Sequence, residues 1–343
     1  MADRYWVGGT ANWDGTAGTK WAATSGGAGG ESVPTSADDV FFDANSSGTC
    51  TVASGNTGAK SVTCTGFTGG LTLGSSLQVS GNFTLVSGMT YTHAGVALAL
   101  IGTGTVTTAG KLMGLTQIGL TNDTITVTLG DAWTSNTNRS IFFAAGTFNT
   151  NNFNVTTTGL ALATPDDYNK TINFGSSTIT ISGTVGSSVF TSTKLTFNAG
   201  TSQFNLTGSN ATFSGGGRTF YNVSFTSTAA GTRTILGINS FNQISSVSTV
   251  AHTIQFSDNQ NTIGTWLVTG SAGNVVTINS SSAGTRRNFT LTNFTSNIDY
   301  LNVTDIGELS GNKFAVGFNS TNGGNNLNVY FAESPPGGAF FLF

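Results

Sequence analysis

Charge is scarce in this chain. Asp, Glu, Lys and Arg make up only 8% of its 343 residues, 12 basic against 15 acidic, for a formal net charge of −3. Surface helices carry many Glu, Lys and Arg, so an extensively helical fold is excluded. So few Lys and Arg leave no basic footprint for duplex nucleic acid, and no nucleic-acid partner is expected. Histidine is nearly absent: His93 and His252 alone cannot build a histidine-rich zinc site, and neither HExxH nor CxxC occurs. No Walker loop or helix-opening GxGxxG is present, and the glycine clusters Gly26-Gly27 and Gly215–Gly217 read as turns. Neither metal nor cofactor is therefore expected. No apolar run approaches 18 residues, so no membrane span is expected. The opening MADRYWVGG lacks a basic patch followed by an apolar run, which predicts synthesis in the cytoplasm without a secretory signal. Proline is down to 4 residues, and 47 glycines without a G-x-y period exclude collagen. The two cysteines, Cys50 and Cys64, form either a disulfide or two buried free thiols.

What is present points to strands. Phenylalanine occurs 25 times, too often for a disordered linker. Thr and Phe favour strands, and Asn and Gly favour turns. The outer surface must then be neutral and rich in hydroxyls and amides. From Val40 onward apolar residues alternate with Thr or Asn, as in LTLGSSLQVSGNFTLV, DTITVTL, TINFGSSTITISG and HTIQF. That is period two with one face buried. A longer period lies above it. Phe148, Phe174, Phe197, Phe220, Phe241, Trp266 and Phe289 recur in similar contexts, about 23 residues apart. This predicts an all-β parallel β-helix (β-solenoid) with two or three short strands per coil, whose aromatic residues stack into a continuous core. A row of antiparallel sandwiches is the rival, but its repeat would be roughly 80 to 100 residues.

Three regions are expected. Residues 1–45 form an N-terminal Trp-rich cap or attachment segment, residues 46–305 the parallel β-helix, and residues 306–343 a C-terminal cap with an apolar tail. Trp6, Trp13 and Trp21 either pack over the first coil or dock onto a partner protein, and both can hold. The tail carries Phe340, Phe341 and Phe343. It either plugs the final coil or packs in a trimer or a host particle, because an exposed tail of this kind would aggregate. Trp133, in GDAWTSNTNRS, is expected to be an exposed aromatic contact, whereas Trp266 falls on the period and belongs to the core.

No catalytic residue is expected. A glycan-cleaving solenoid would need two carboxylates about 5 Å or 6.5–9.5 Å apart. The candidates are Asp123, Asp131, Asp166, Asp167, Asp258, Asp299, Asp305 and Glu308. Asp299 and Asp305 flank IDYLNVTD with an even separation and could share a face, and Asp166-Asp167 reads as a loop pair. The alternative for each is a solvated turn carboxylate. His93 reads as a turn or surface residue and His252 as lying beside a strand, neither with the neighbours of a triad.

The opening RYWVGGTANWDGTAGTKWA…SGGAGGESVPTSADDVFFDANSSG, the later GTWLVTGSAGNVVTINSSSAGTRRNFTLT…IDYLNVTD and the near-terminal FNSTNGGNN resemble the β-helical virion surface proteins of tailed bacteriophages, described as tail fibre-like or adhesin-like. The resemblance covers the first 45 residues and roughly residues 195 to 330, and it carries no catalytic motif. It implies a right-handed parallel β-helix displayed on a virion. The expected partners are other virion proteins, a host surface glycan and, by homotrimer formation, further copies of the chain. Capsid decoration and a tailspike-like glycan hydrolase or lyase activity are the alternative roles.

Overall fold

The structure, a computed structural model, describes residues 2–14, 18–53, 57–136, 138, 140–162, 167–185, 187–259, 261–311 and 313–333. The chain divides into two compact units, residues 1–180 with 192–201, and residues 181–191 with 202–343. Each unit is a right-handed parallel β-solenoid. The one helix among the described residues is the single turn Ser187–Thr191.

In most coils of the first unit there are three short strands. One coil runs through Asp39–Asp43, Thr49–Val52 and Thr57–Ala59, the next through Ser61–Thr65, Gly70–Leu73 and Leu77–Val79. Gly, Ser and Asn break the strands after a few residues, as Gly74-Ser75-Ser76 does. In the second unit the coils have two longer strands, such as Thr219–Phe225 with Thr232–Leu236, and Ser240–Ser246 with His252–Phe256. No glycine interrupts these strands. Each strand pairs in parallel with its counterpart one coil on. Val40 is in register with Val62 and Ile244 with Trp266, an advance of 22 residues in both units.

Alternation sends every second side chain inward. Val40, Val62, Phe83 and Val106 form one such column, and none is more than 1% exposed. Each apolar side chain so buried contributes roughly 1.5–3 kcal/mol, which no single coil could gain alone. The aromatic series expected from the 23-residue period does not make one column. Phe220 and Phe241 are in register and stack, with ring centroids 6.2 Å apart. Phe148, however, is in register with Ile172, Trp266 with Ile244, and Phe289 with Asn261. The period is real, but coils of unequal length shift the aromatics among neighbouring columns, so apolar residues of any shape share each one.

The first coil has an aromatic interior. Asp3–Trp6 pairs in parallel with Asp39–Asp43 and antiparallel with Trp21–Ala22, which covers the sheet edge. Trp21 lies edge-on to both Trp6 and Trp13, at 5.0 and 4.9 Å, and all three pack on Phe42. Asparagine closes many turns. Asn151, Asn152, Asn297, Asn325 and Asn328 all adopt left-handed backbone, where Asn is tolerated better than most residues. Gly48 is required twice over: its φ is +68°, and a Cβ there would fall 2.3 Å from the Gly9 carbonyl carbon. Cys50 and Cys64 are free and buried, which decides between the two alternatives for them.

Candidate functional site

The aromatic residues picked out as contacts are in the core where they are described. Trp6, Trp13 and Trp21 are at most 1% exposed. Trp133, expected at the surface, is 2% exposed. It begins the strand Trp133–Ser135, in register with Val155, and its indole N–H donates to Ser135 Oγ at 3.0 Å. Its turn-like sequence context hid a strand start, where the apolar body of an indole is buried and its N–H finds a partner. Phe340, Phe341 and Phe343 lie outside the described residues.

The carboxylates brace coils against one another. Asp131 accepts the Thr108 and Ala109 backbone N–H groups at 2.8 and 2.6 Å. Asp258 accepts Gly237 N–H at 2.7 Å. Asp305 accepts Gly284 N–H at 2.9 Å and Asn325 Nδ2 at 2.6 Å. In each case the partner lies about one coil away, so the acid satisfies backbone donors that the parallel ladder leaves open at a corner. Asp123 accepts Asn169 Nδ2 at 2.9 Å, and the Asp167 carbonyl accepts Lys194 Nζ. Asp166 lies outside the described residues. Glu308 is fully buried. Its Oε1 accepts Leu291 N–H at 3.1 Å, Ser310 N–H at 2.7 Å and the Ser310 hydroxyl; its Oε2 accepts Lys313 N–H at 3.2 Å. Burial works to raise its pKa, but these bonds outweigh it and hold the carboxyl below the ordinary glutamate value.

Asp299 and Asp305 do not share a face. Asp305 is buried in a left-handed turn beyond the strand Leu301–Thr304, whereas Asp299 precedes that strand. The four strand residues between them span about 13 Å, beyond either separation that glycoside hydrolysis uses. Both histidines lie at strand ends. His93 ends the strand Thr90–His93 in register with buried Leu73, not in a turn. His252 opens a strand and is buried, its Nδ1 2.8 Å from the Val250 carbonyl. Burial comes first in pushing its pKa down.

The outer faces carry a regular neutral pattern. In the first unit Thr126, Thr147, Thr171 and Thr196 are in register, beside a second column of Thr105, Thr128, Asn149, Asn173 and Asn198. Asn198 Nδ2 donates to Asn173 Oδ1 at 2.7 Å. The second unit repeats the device with Thr232, Thr253, Thr277, Asn302 and Thr321 in one column and Thr212, Thr234, Gln255, Asn279 and Thr304 in the other. Strand geometry spaces these groups about 4.8 Å along a column and about 6.6 Å across the pair. The result is a two-dimensional array of hydroxyls and amides with no charge in it.

A groove in the second unit stands apart from this pattern. It has a volume of about 410 Å³ and is lined by Thr295, Asn297, Ile298, Asp299, Ala315, Val316, Gly317 and Phe318. The Asp299 carboxylate sits at its side. Oδ1 accepts Tyr300 N–H, Asn319 N–H and the Ser320 hydroxyl; among the described residues Oδ2 accepts one bond, from Asn319 Nδ2 at 2.7 Å. Partial burial works to raise the Asp299 pKa. The bonds from Asn319, Tyr300 and Ser320 overcome it, and the group stays below the ordinary aspartate range. Gly317 leaves room for the carboxylate, since a Cβ there would lie 2.4 Å from Asp299 Cγ. Phe318 is 55% exposed. The sequence signal for this groove was an aromatic residue, Phe318, that opens the turn-rich FNSTNGGNN and is left exposed. Repeat reading passes over such a residue.

No helix among the described residues is long and apolar enough to cross a membrane, and no group of three or more His, Cys, Asp or Glu side chains among them is placed to hold a metal ion. No family model matches the chain, and no curated protein or solved structure shows significant similarity to it.

Proposed function

We propose that this chain is a non-enzymatic structural protein of a bacteriophage virion, used for attachment or host-surface binding. The solenoid supplies the scaffold, and its outer faces supply the contact. The observation that carries this reading is the pair of in-register Thr, Asn and Gln columns in each unit. Such an array offers hydroxyl and amide donors and acceptors at a fixed spacing, complementary to a neutral, repeating, polyhydroxylated surface such as a host glycan. Uncharged groups of this kind retain their contacts at high salt, where charged adhesion is screened. Phage origin is supported by the resemblance of the opening and later segments to β-helical virion proteins. The capsid-decoration alternative rests on a Trp-rich or an apolar Phe-rich terminus that grips a shell; Trp6, Trp13 and Trp21 are engaged in their own core, and Phe340, Phe341 and Phe343 lie outside the described residues. Cryo-electron microscopy of the native particle, with a screen of host polysaccharides for retention and cleavage, tests the proposal. Density on the virion surface and retention without cleavage are expected. Absence from the particle, or release of saccharide fragments, overturns it.

A further inference from the structure

We propose that the groove beside Asp299 is a saccharide subsite that takes one uncharged pyranose ring. The inference rests on the attachment proposal for the source of the sugar, but its chemistry is local. A pyranose presents an apolar C–H face and a rim of hydroxyls, and the groove offers a partner for each. Phe318 gives an exposed aromatic face, amphipathic recognition of the kind aromatics provide at wet interfaces. Asp299 Oδ2 retains acceptor capacity beyond its bond from Asn319, since a carboxylate oxygen accepts at two lone pairs. A sugar hydroxyl donating there would make a charge-assisted bond. Asn297 is an exposed amide in the lining and supplies both donor and acceptor groups.

Small residues keep the floor open. Ala315 and Gly317 are among the lining residues, Gly317 against the Asp299 carboxylate, and the volume of about 410 Å³ is in the range of small-molecule sites. The carboxylate is also held in advance. Four bonds from Tyr300, Asn319 and Ser320 fix its position, so ordering it costs little on binding. Specificity follows from charge. None of the eight lining residues is Lys or Arg, and Asp299 is an anion, so uronic and sialic acids are disfavoured and neutral hexoses or N-acetylhexosamines favoured.

The test is saturation-transfer NMR on the full chain with methyl glucoside, methyl galactoside, methyl mannoside and N-acetylglucosamine, with glucuronate as the charged control. Transfer to at least one neutral sugar and none to glucuronate is expected. Phe318→Ala and Asp299→Asn should each weaken the transfer about tenfold, equivalent to about 1.4 kcal/mol. Phe318 is exposed, so Phe318→Ala should melt like the parent protein and separates lost binding from lost folding. Retention on whole host polysaccharide is measured in parallel. If polysaccharide is retained but the monosaccharides give no transfer, or transfer persists in both variants, the groove is not the subsite and the attachment proposal stands. If polysaccharide is not retained and a neutral sugar still binds through Phe318, the groove stands and the attachment proposal fails. No retention and no transfer overturns both.

Discussion

Replacing Glu308 by Gln should destabilise the second unit markedly at neutral pH and much less in acid. The side chain is fully buried and receives four hydrogen bonds, from Leu291 N–H, Ser310 N–H, the Ser310 hydroxyl and Lys313 N–H. In Glu308→Gln the amide oxygen can keep the Oε1 partners, but as neutral bonds. The amide nitrogen then faces Lys313 N–H, donor against donor. Weakening the first group and orphaning the last costs roughly 2–4 kcal/mol. For a unit of about 150 residues this lowers Tm by about 5–15 °C. The pH dependence has a definite sign. The folded pKa lies below the ordinary value of 4.5, so the parent protein has the full contribution above that value and loses it as pH falls through the folded pKa. The variant has no such group, so the gap between the two proteins should narrow in acid. Calorimetry across pH, with hydrogen exchange followed over residues 287–316, reads both effects. A variant that melts within about 2 °C of the parent at neutral pH, or a gap that is constant with pH, would refute the reasoning.

Three other outcomes are expected. Trp21→Ala removes the ring that Trp6 and Trp13 both meet edge-on and should cost the first unit about 3–5 kcal/mol, seen as a lower urea midpoint. Cys50 and Cys64 should resist iodoacetamide in the native protein and react at once in denaturant, because burial raises both thiols and takes Cys64 to about 12; mass spectrometry of the labelled chain counts them. Thr253→Val with Thr277→Val removes two adjacent hydroxyls from an outer column and should lower polysaccharide retention while leaving Tm within about 2 °C; equal retention would remove the array from the binding surface.

The coil was legible because burial and sequence share a period. In Thr277-Ile278-Asn279 or Thr126-Val127-Thr128 the inward residue is always the apolar one, and the register of the next coil repeats the choice. The fate of isolated residues was less legible. Trp133 lies among turn formers and is nonetheless a strand residue, because its partner Val155 comes from the next coil and not from its own segment. The carboxylates read as solvated turn residues for the same reason. Asp131 and Asp305 do sit at corners, but their bonds go to Ala109 and Gly284, more than 20 residues away, and local sequence holds no trace of such a partner.

The shortage of charge also changes its meaning once the registers are known. A low charged fraction first suggests an unusual environment or a special surface. In a parallel stack, though, every outward position repeats in the next coil about 4.8 Å away. Two like charges at that distance repel by about 1 kcal/mol in water and by several when half-buried. A column such as Thr126, Thr147, Thr171 and Thr196 would face that repulsion at each step if it were Lys or Glu. Asp3 and Asp39 show the exception, an in-register acidic pair in which Asp39 is met by Lys60 Nζ at 2.7 Å. Hydroxyls and amides avoid the conflict and add bonds down the column, as Asn198 does to Asn173. The 8% charge is therefore a consequence of the repeat itself. What remains informative about function is where the repeat is broken, and Asp299 beside an exposed Phe318 is such a place.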